Sequence, residues 1–194
     1  MRNDLISGLD LSATTLALGG AKMPDYLDGR DLFDKDHQPR THVISARDRC
    51  DYTIDRIRTV RTEKLRYIRN YFPDRHLLQA QYRDNRPPVL ELKELRKKGK
   101  LTPYQEEHWF GKRPAEELYD LAKAPDQINN LANNPNYQEE LKRHRQILET
   151  WIEESGDKGQ KPEDPIQPRA TFNLWKDKPI FKNAKTNPEF DQFR

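Results

Sequence analysis

The segment from Asn134 to Gly156 constrains the fold more than any other part of the chain. Tyr137, Leu141, His144, Leu148 and Trp151 recur at steps of four and three, flanked by Ile147 and Ile152, with Glu, Lys and Arg on the opposite face. That spacing predicts an amphipathic helix over 136–154, opened by Asn134-Pro135-Asn136 and stopped by Gly156. Such a stripe has to be covered by another apolar face. The chain offers strands for this. Residues 41–46 are rich in β-branched types, 57–62 alternate with period two, 65–71 follow a hairpin turn at Glu63-Lys64, and 116–121 supply a further strand. The expected fold class is α+β, a small antiparallel sheet of about four strands with the long helix packed on one face.

The remaining segments are shorter. Leu5, Leu9, Ser12 and Leu16, followed by Gly19-Gly20, predict a short helix within 5–20. Met23 to Arg30 reads as a turn. Val89 to Lys98 follows Pro87-Pro88 and stops at Gly99, and Thr102-Pro103 caps another helix start. Residues 159–168 read as a polar, Pro-rich linker. Residues 169–194 place Phe172, Trp175, Phe181 and Phe190 among Lys and Pro, a tail without a core of its own that suits lying across another surface. With 34% hydrophobic against 35% charged residues, the core is expected to be small and the surface loops long. The expected organisation is 1–34, 35–155 and a tail over 156–194.

Several function classes are disfavoured. Thirty-five basic against 32 acidic side chains is too even a balance to point to nucleic acid. Arg56, Arg58, Arg61, Lys64, Arg66 and Arg69, interleaved with Tyr52, Tyr67 and Tyr71, read either as a nucleic-acid-binding sheet or as its solvated face. The aromatic spacing of RNA-binding sheets is missing, so no nucleic-acid partner is expected. The single cysteine, Cys50, allows neither an internal disulfide nor a Cys-based zinc site. His37, His42, His76, His108 and His144 lack metal-ligand spacing, and His144 lies on the apolar stripe as a packed histidine. No apolar run approaches the roughly 20 residues of a membrane span, so no membrane partner is expected. Met1 to Gly8 lacks a signal-peptide core. Either the chain is cytosolic or Met1 is not the natural start, and the compartment stays open.

Five strings in order carry a resemblance. They are Asp10–Gly20, Pro24–Leu32, Ala46–Asp51 with Ile57–Ile68, Glu117–Ala132 (Glu-Leu-Tyr-Asp-Leu, then Pro125-Asp126 and Asn130-Leu131-Ala132), and the Trp151-bearing helix. Together, over residues 5–155, they resemble the C-terminal subdomain of the sulfatases, an alkaline-phosphatase-like family, and in particular N-sulfoglucosamine sulfohydrolase-like enzymes, which implies that residues 1–34 are the end of the preceding catalytic region and 35–155 the C-terminal subdomain. The resemblance implies hydrolysis of sulfate esters or N-sulfates on sulfated glycans. It also implies a formylglycine nucleophile made from Cys or Ser in C/S-x-P-x-R, a calcium ion held by Asp and Asn, and a periplasmic or extracellular address for the parent enzyme. Here Cys50 is followed by Asp51-Tyr52-Thr53-Ile54, no Ser-x-Pro-x-Arg occurs, and the paired-Asp metal motif is missing. The nucleophile and its metal cage are therefore expected in a missing catalytic domain, this chain's partner. Catalytic residues and metal ligands are expected to be none here. The alternative is a free-standing, non-catalytic carbohydrate-binding or interaction module derived from a sulfatase.

The candidate substrate-binding residues are Arg47, Asp48 and Arg49, placed just after a strand. Arg grips sulfate or carboxylate in a bidentate way and Asp accepts from sugar hydroxyls. The same three residues also read as a surface cluster that pins a loop. Cys50 reads as a thiol activated by Arg47 and Arg49, or as a small, partly buried residue.

Overall fold

The computed structural model describes residues 3–182 and 184–194. Helix α1 spans Gly8–Leu18, followed by strands β1 (Val43–Cys50), β2 (Thr53–Arg61) and β3 (Leu65–Asn70). Helices α2 (Pro87–Lys97) and α3 (Pro103–Phe110) precede β4 (Glu116–Asp120). Helices α4 (Gln138–Ser155), α5 (Ile166–Trp175), α6 (Pro179–Lys182) and α7 (Pro188–Asp191) complete the chain. The four strands form one antiparallel sheet in the order β1-β2-β3-β4. The expected α+β fold is present. The chain divides into two compact units, one of Met1–Ser45, Thr59–Ile68 and Glu117–Glu149, the other of Ala46–Arg58, Arg69–Glu116 and Thr150–Arg194.

In the first unit Val60, Leu65, Tyr67, Leu118, Leu141 and Leu148 are buried. His144 joins them. Its Nδ1 lies 2.7 Å from the Glu140 carbonyl, which can only accept, so the proton sits on Nδ1. Nε2, 3.1 Å from the Thr62 hydroxyl, then accepts from it. The imidazole is thus satisfied while neutral, and burial pushes its pKa below the ordinary value of 6.5. Trp151, at the far end of the stripe, is only partly buried.

The Glu117–Ala132 string has a direct physical role in this unit. The Asn130 side-chain oxygen accepts from the Leu118 amide at 2.9 Å and from the Ala132 amide at 3.0 Å. The Leu131 amide donates to the Leu118 carbonyl at 2.8 Å. Asp120 holds the turn after β4 by accepting from the amides of Ala122 and Lys123 and from the Tyr137 hydroxyl. Gln127 makes the reversal at φ 55°.

The second unit differs most from expectation. β1 continues to Cys50 and β2 begins at Thr53, because the chain turns back at Asp51-Tyr52. Asp51 supplies the positive φ of 51°, which its short polar side chain tolerates. Tyr52 is buried and starts an aromatic core. It meets Phe181 edge-on at 4.9 Å and Trp175 at 5.2 Å, and Ile54, Phe190 and Phe172 join them. The surface that α5, α6 and α7 lie across belongs to this chain, and part of the expected linker is the first turn of α5.

Truncating Phe190 to Ala is expected to cost roughly 3–5 kcal/mol, as for other fully buried aromatics. Urea unfolding reads this, and a change under 1 kcal/mol is the contrary result. Stability is also expected to fall as the pH drops below about 6.5, the range where an unfolded His144 takes up a proton that the folded one refuses. His144→Gln should flatten that limb of a pH series of melting curves.

Candidate functional site

Arg47, Asp48 and Arg49 lie within β1, an edge strand, and not in a loop after it. Asp48 faces Arg58 of β2. Arg58 has no solvent exposure, and its guanidinium is held by two carboxylates. Asp157 accepts from Nε and Nη2, both at 2.9 Å. Asp48 accepts from Nη1 at 2.8 Å and Nη2 at 3.2 Å. The carbonyls of Ile57 and Arg47 accept from Nη1 at 2.9 Å and 3.3 Å. A buried guanidinium is tolerated only with its donors engaged in this way. Burial opposes the charge on Arg58, and the bonds to Asp157 and Asp48 more than offset it, so the group stays above its ordinary pKa. The Arg58 hydrogen bond holds the Asp157 carboxyl below 3.8.

Gly159 closes this arrangement. A Cβ there would lie 1.4 Å from Arg58 Nη2 and 2.4 Å from its Cζ, so the backbone passes where only glycine fits. Arg49 makes a parallel attachment. Its Nε reaches the Glu163 carboxylate at 2.9 and 3.0 Å, and Nη1 donates to the Asp51 carbonyl at 2.7 Å and the Thr171 hydroxyl at 2.9 Å. Asp48 and Arg49 therefore tie the segment 157–171 to the β1–β2 hairpin, while the Arg47 side chain is exposed. Cys50 is exposed as well, and the guanidinium beside it in sequence is turned to Glu163.

A cavity of about 380 Å³ lies beside this lock, lined by Asp48, Arg56, Lys158, Lys161 and Glu163 among others. Four of its five acids are committed to arginines, Asp48 and Asp157 to Arg58, Glu163 to Arg49, and Asp55 to Arg113, while Asp164 accepts from the Ile166 amide at the start of α5. Asp55 is buried, accepting from Arg113 at 2.8 and 3.0 Å and from Gln79 at 3.1 Å. The cations left at the rim suit an oxyanion better than a metal. Among the described residues no three His, Cys, Asp or Glu side chains come together as a cation cage requires, and the residues present do not fit calcium. Sequence reasoning placed Arg58 on a solvated or nucleic-acid-binding face and did not single out Asp157, Gly159, Asp55 or Arg113. Asp157 lies 99 residues from Arg58, and the segment holding it carries no periodic signal.

Removing Arg58 strands two carboxylates, so Arg58→Ala is expected to cost roughly 3–5 kcal/mol. Removing all three charges together, as Arg58→Met with Asp48→Leu and Asp157→Leu, should cost less than Arg58→Ala alone, by denaturant melts of each variant. Gly159→Ala should lose roughly 1–3 kcal/mol through overpacking against Arg58. The Asp157 contribution is complete above pH 3.8 and disappears as the pH falls through its lowered folded pKa.

No family model matches the chain. Among curated proteins it is 36% identical over 164 residues to an ulvan-active sulfatase of Formosa agariphila, covering 84% of this chain and 28% of that protein. A second ulvan-active sulfatase of the same organism is 28% identical over 170 residues, covering 80% and 30%. The chain thus spans less than a third of the length of the curated relatives it matches. Of solved structures, the 2-O GAG sulfatase BT1596 aligns with a TM-score of 0.52 and 24% identity, over 80% of this chain and 27% of that one. BT4656, solved with its substrate D-glucosamine-2-N,6-O-disulfate, aligns with a TM-score of 0.50 and 16% identity, over 79% and 25%. These two likenesses concern the fold. The 36%-identical relative, matched over 84% of this chain, establishes that the chain belongs to the sulfatase family, and the share of each sulfatase that is covered is consistent with a C-terminal region.

Proposed function

We propose that this chain is the C-terminal portion of a sulfatase acting on sulfated glycans, serving as scaffold and cleft wall without the catalytic nucleophile. The observation that carries this reading is the match to 28% of a sulfatase by a sequence that nowhere contains C/S-x-P-x-R. On this reading the formylglycine, the calcium ion and their ligands belong to the catalytic domain, this portion's partner. The chemistry of that domain needs a nucleophile at the metal and cations around the sulfate. The edge-strand segment Arg47, Asp48 and Arg49 borders the sulfated carbohydrate. The exposed Arg47 makes the contact, and the pairs of Asp48 with Arg58 and Arg49 with Glu163 hold its strand still.

The test is a chimera in which this chain replaces the aligned region of the 36%-identical relative. The isolated chain should release no sulfate from an aryl sulfate, and the chimera should. In the chimera, Arg47→Ala should raise KM for a sulfated oligosaccharide about fivefold to tenfold, a loss of roughly 1 kcal/mol of binding, with little change in melting temperature. An inactive chimera, or an isolated chain that binds sulfated oligosaccharide as tightly as the chimera, would count for the free-standing binding module.

A further inference from the structure

Another cavity, of about 600 Å³, lies in the second unit among α2, the segment 76–84 and residues 184–185. Its size falls in the roughly 300–1,000 Å³ range of small-molecule sites. Leu78, Ala80, Phe110 and Ala184 give it an apolar wall. Ala80 and Ala184 also pack on the core of Tyr52, Ile54, Phe181 and Phe190, so this wall is continuous with that core.

The charged part of the lining is one-sided. It carries Lys93, Arg96, Lys97 and Lys185 against a single acid among the described residues, Asp84. Lys93, Arg96 and Lys97 stand three and four residues apart on α2, a spacing at which like charges repel. α2 has no buried residue, so core packing does not dictate this placement of charge. Two of the cations are answered within the chain. Lys93 donates to Asp84 Oδ2 at 2.8 Å. Arg96 donates to Glu106 at 2.9 Å and lies over the Phe110 ring at 4.0 Å. The side chains of Lys97 and Lys185 meet no carboxylate among the described residues.

Asp84 is only half answered. Its Oδ1 is buried and has no hydrogen-bond partner among the described residues. A carboxylate oxygen shut away from water and left unbonded costs stability, which a hydroxyl donor recovers. One cavity thus combines an apolar wall for the C–H face of a ring, an acceptor for a hydroxyl, and two ammonium groups for an oxyanion. A bare anion uses only the last of these and a neutral sugar only the first two. We propose that the cavity binds a pyranose carrying an oxyanion, a carboxylate or a sulfate, with Asp84 accepting from a ring hydroxyl and Lys97 and Lys185 on the anion. A lysine is a point charge without the fork of an arginine, and the one arginine of the lining is engaged by Glu106, so the cations do not choose between carboxylate and sulfate. Every residue invoked belongs to this chain, so the inference does not rest on the proposed function.

The experiment titrates the full chain, isotope-labelled, with methyl β-D-glucuronide, methyl β-D-glucoside 6-sulfate, neutral methyl β-D-glucoside and sodium sulfate, following amide signals by NMR. At least one charged glycoside should move signals of 76–84 and α2 at millimolar concentration, binding at least tenfold more tightly than the neutral glycoside or the sulfate ion. The tighter of the two charged glycosides identifies the oxyanion. Lys97→Gln with Lys185→Gln should weaken that binding at least tenfold. Lys142→Gln, at an exposed lysine of α4, should leave it within twofold. Asp84→Ala should bring the charged glycoside down to the affinity of the sulfate ion. Failure of both charged glycosides to bind overturns the inference, as does binding that the double lysine substitution leaves unchanged. A sulfate ion that binds as tightly as the glycosides, or a folded Asp84→Ala variant that keeps full affinity, removes the sugar and overturns it as well. None of these readouts needs sulfatase activity, so the chimera tests the proposed function separately.

Discussion

Arg58 is the charge around which the second unit is arranged. An arginine with no contact to solvent is a liability unless its donors are met, and here they are met by one carboxylate from β1, one from beyond α4, and two carbonyls of the strands themselves. The position of the chain after Gly156 follows from this. Once Asp157 is bonded to Arg58, the backbone must pass over the guanidinium at Gly159. Glu163 then falls to Arg49, and α5 to α7 deliver Phe172, Phe181 and Phe190 to Tyr52. A second buried pair, Asp55 with Arg113, ties β2 to the approach to β4. Arg75 stacks on Phe72 at 3.7 Å and reaches Glu189 of α7 at 2.6 Å. A polar sequence thus builds a small aromatic core by letting ion pairs place the segments that carry it.

How far the sequence disclosed this depends on the range of the interactions. The α4 stripe, the hairpin at 62–65 and the Thr102 cap before Pro103 are local patterns, and each was readable from spacing or residue type. The hairpin at Asp51-Tyr52 was not, because Asp-Tyr lacks the usual Gly signal and only the φ of Asp51 marks the turn. The aromatic residues of the tail were visible, but their partner, Tyr52, lies more than a hundred residues upstream. α1 misleads for a different reason. Its leucines have helical spacing, yet hydrogen bonds to Asp10 and Thr14 decide which side faces in, and those donors come from residues 7, 30, 32 and 40. Of the residues read as substrate-facing, Asp48 and Arg49 make the intramolecular pairs that pin the hairpin, while Arg47 is exposed. Charge type was legible at these positions and the identity of the partner was not.

The strings that carry the family resemblance acquire physical meanings in this light. Asp10 and Thr14, with the Gly29-Arg30 pair, form one polar joint between helix and loop. Asp120, Tyr137 and Asn130 form another around β4. Each of these residues holds backbone groups at fixed places, so the resemblance carried by the strings is tied to the fold of this region.

The amide of Asn130 has a wider consequence. A sheet has two open margins, each able to recruit a foreign strand and start aggregation. On the β4 side the Asn130 side chain and the Leu131 amide occupy both polar groups of Leu118, so a recruited strand would first have to displace them. On the β1 side, Arg47, Asp48 and Arg49 place consecutive charges along the margin. With one margin plugged by a side chain and the other studded with charge, this sheet resists growing sideways.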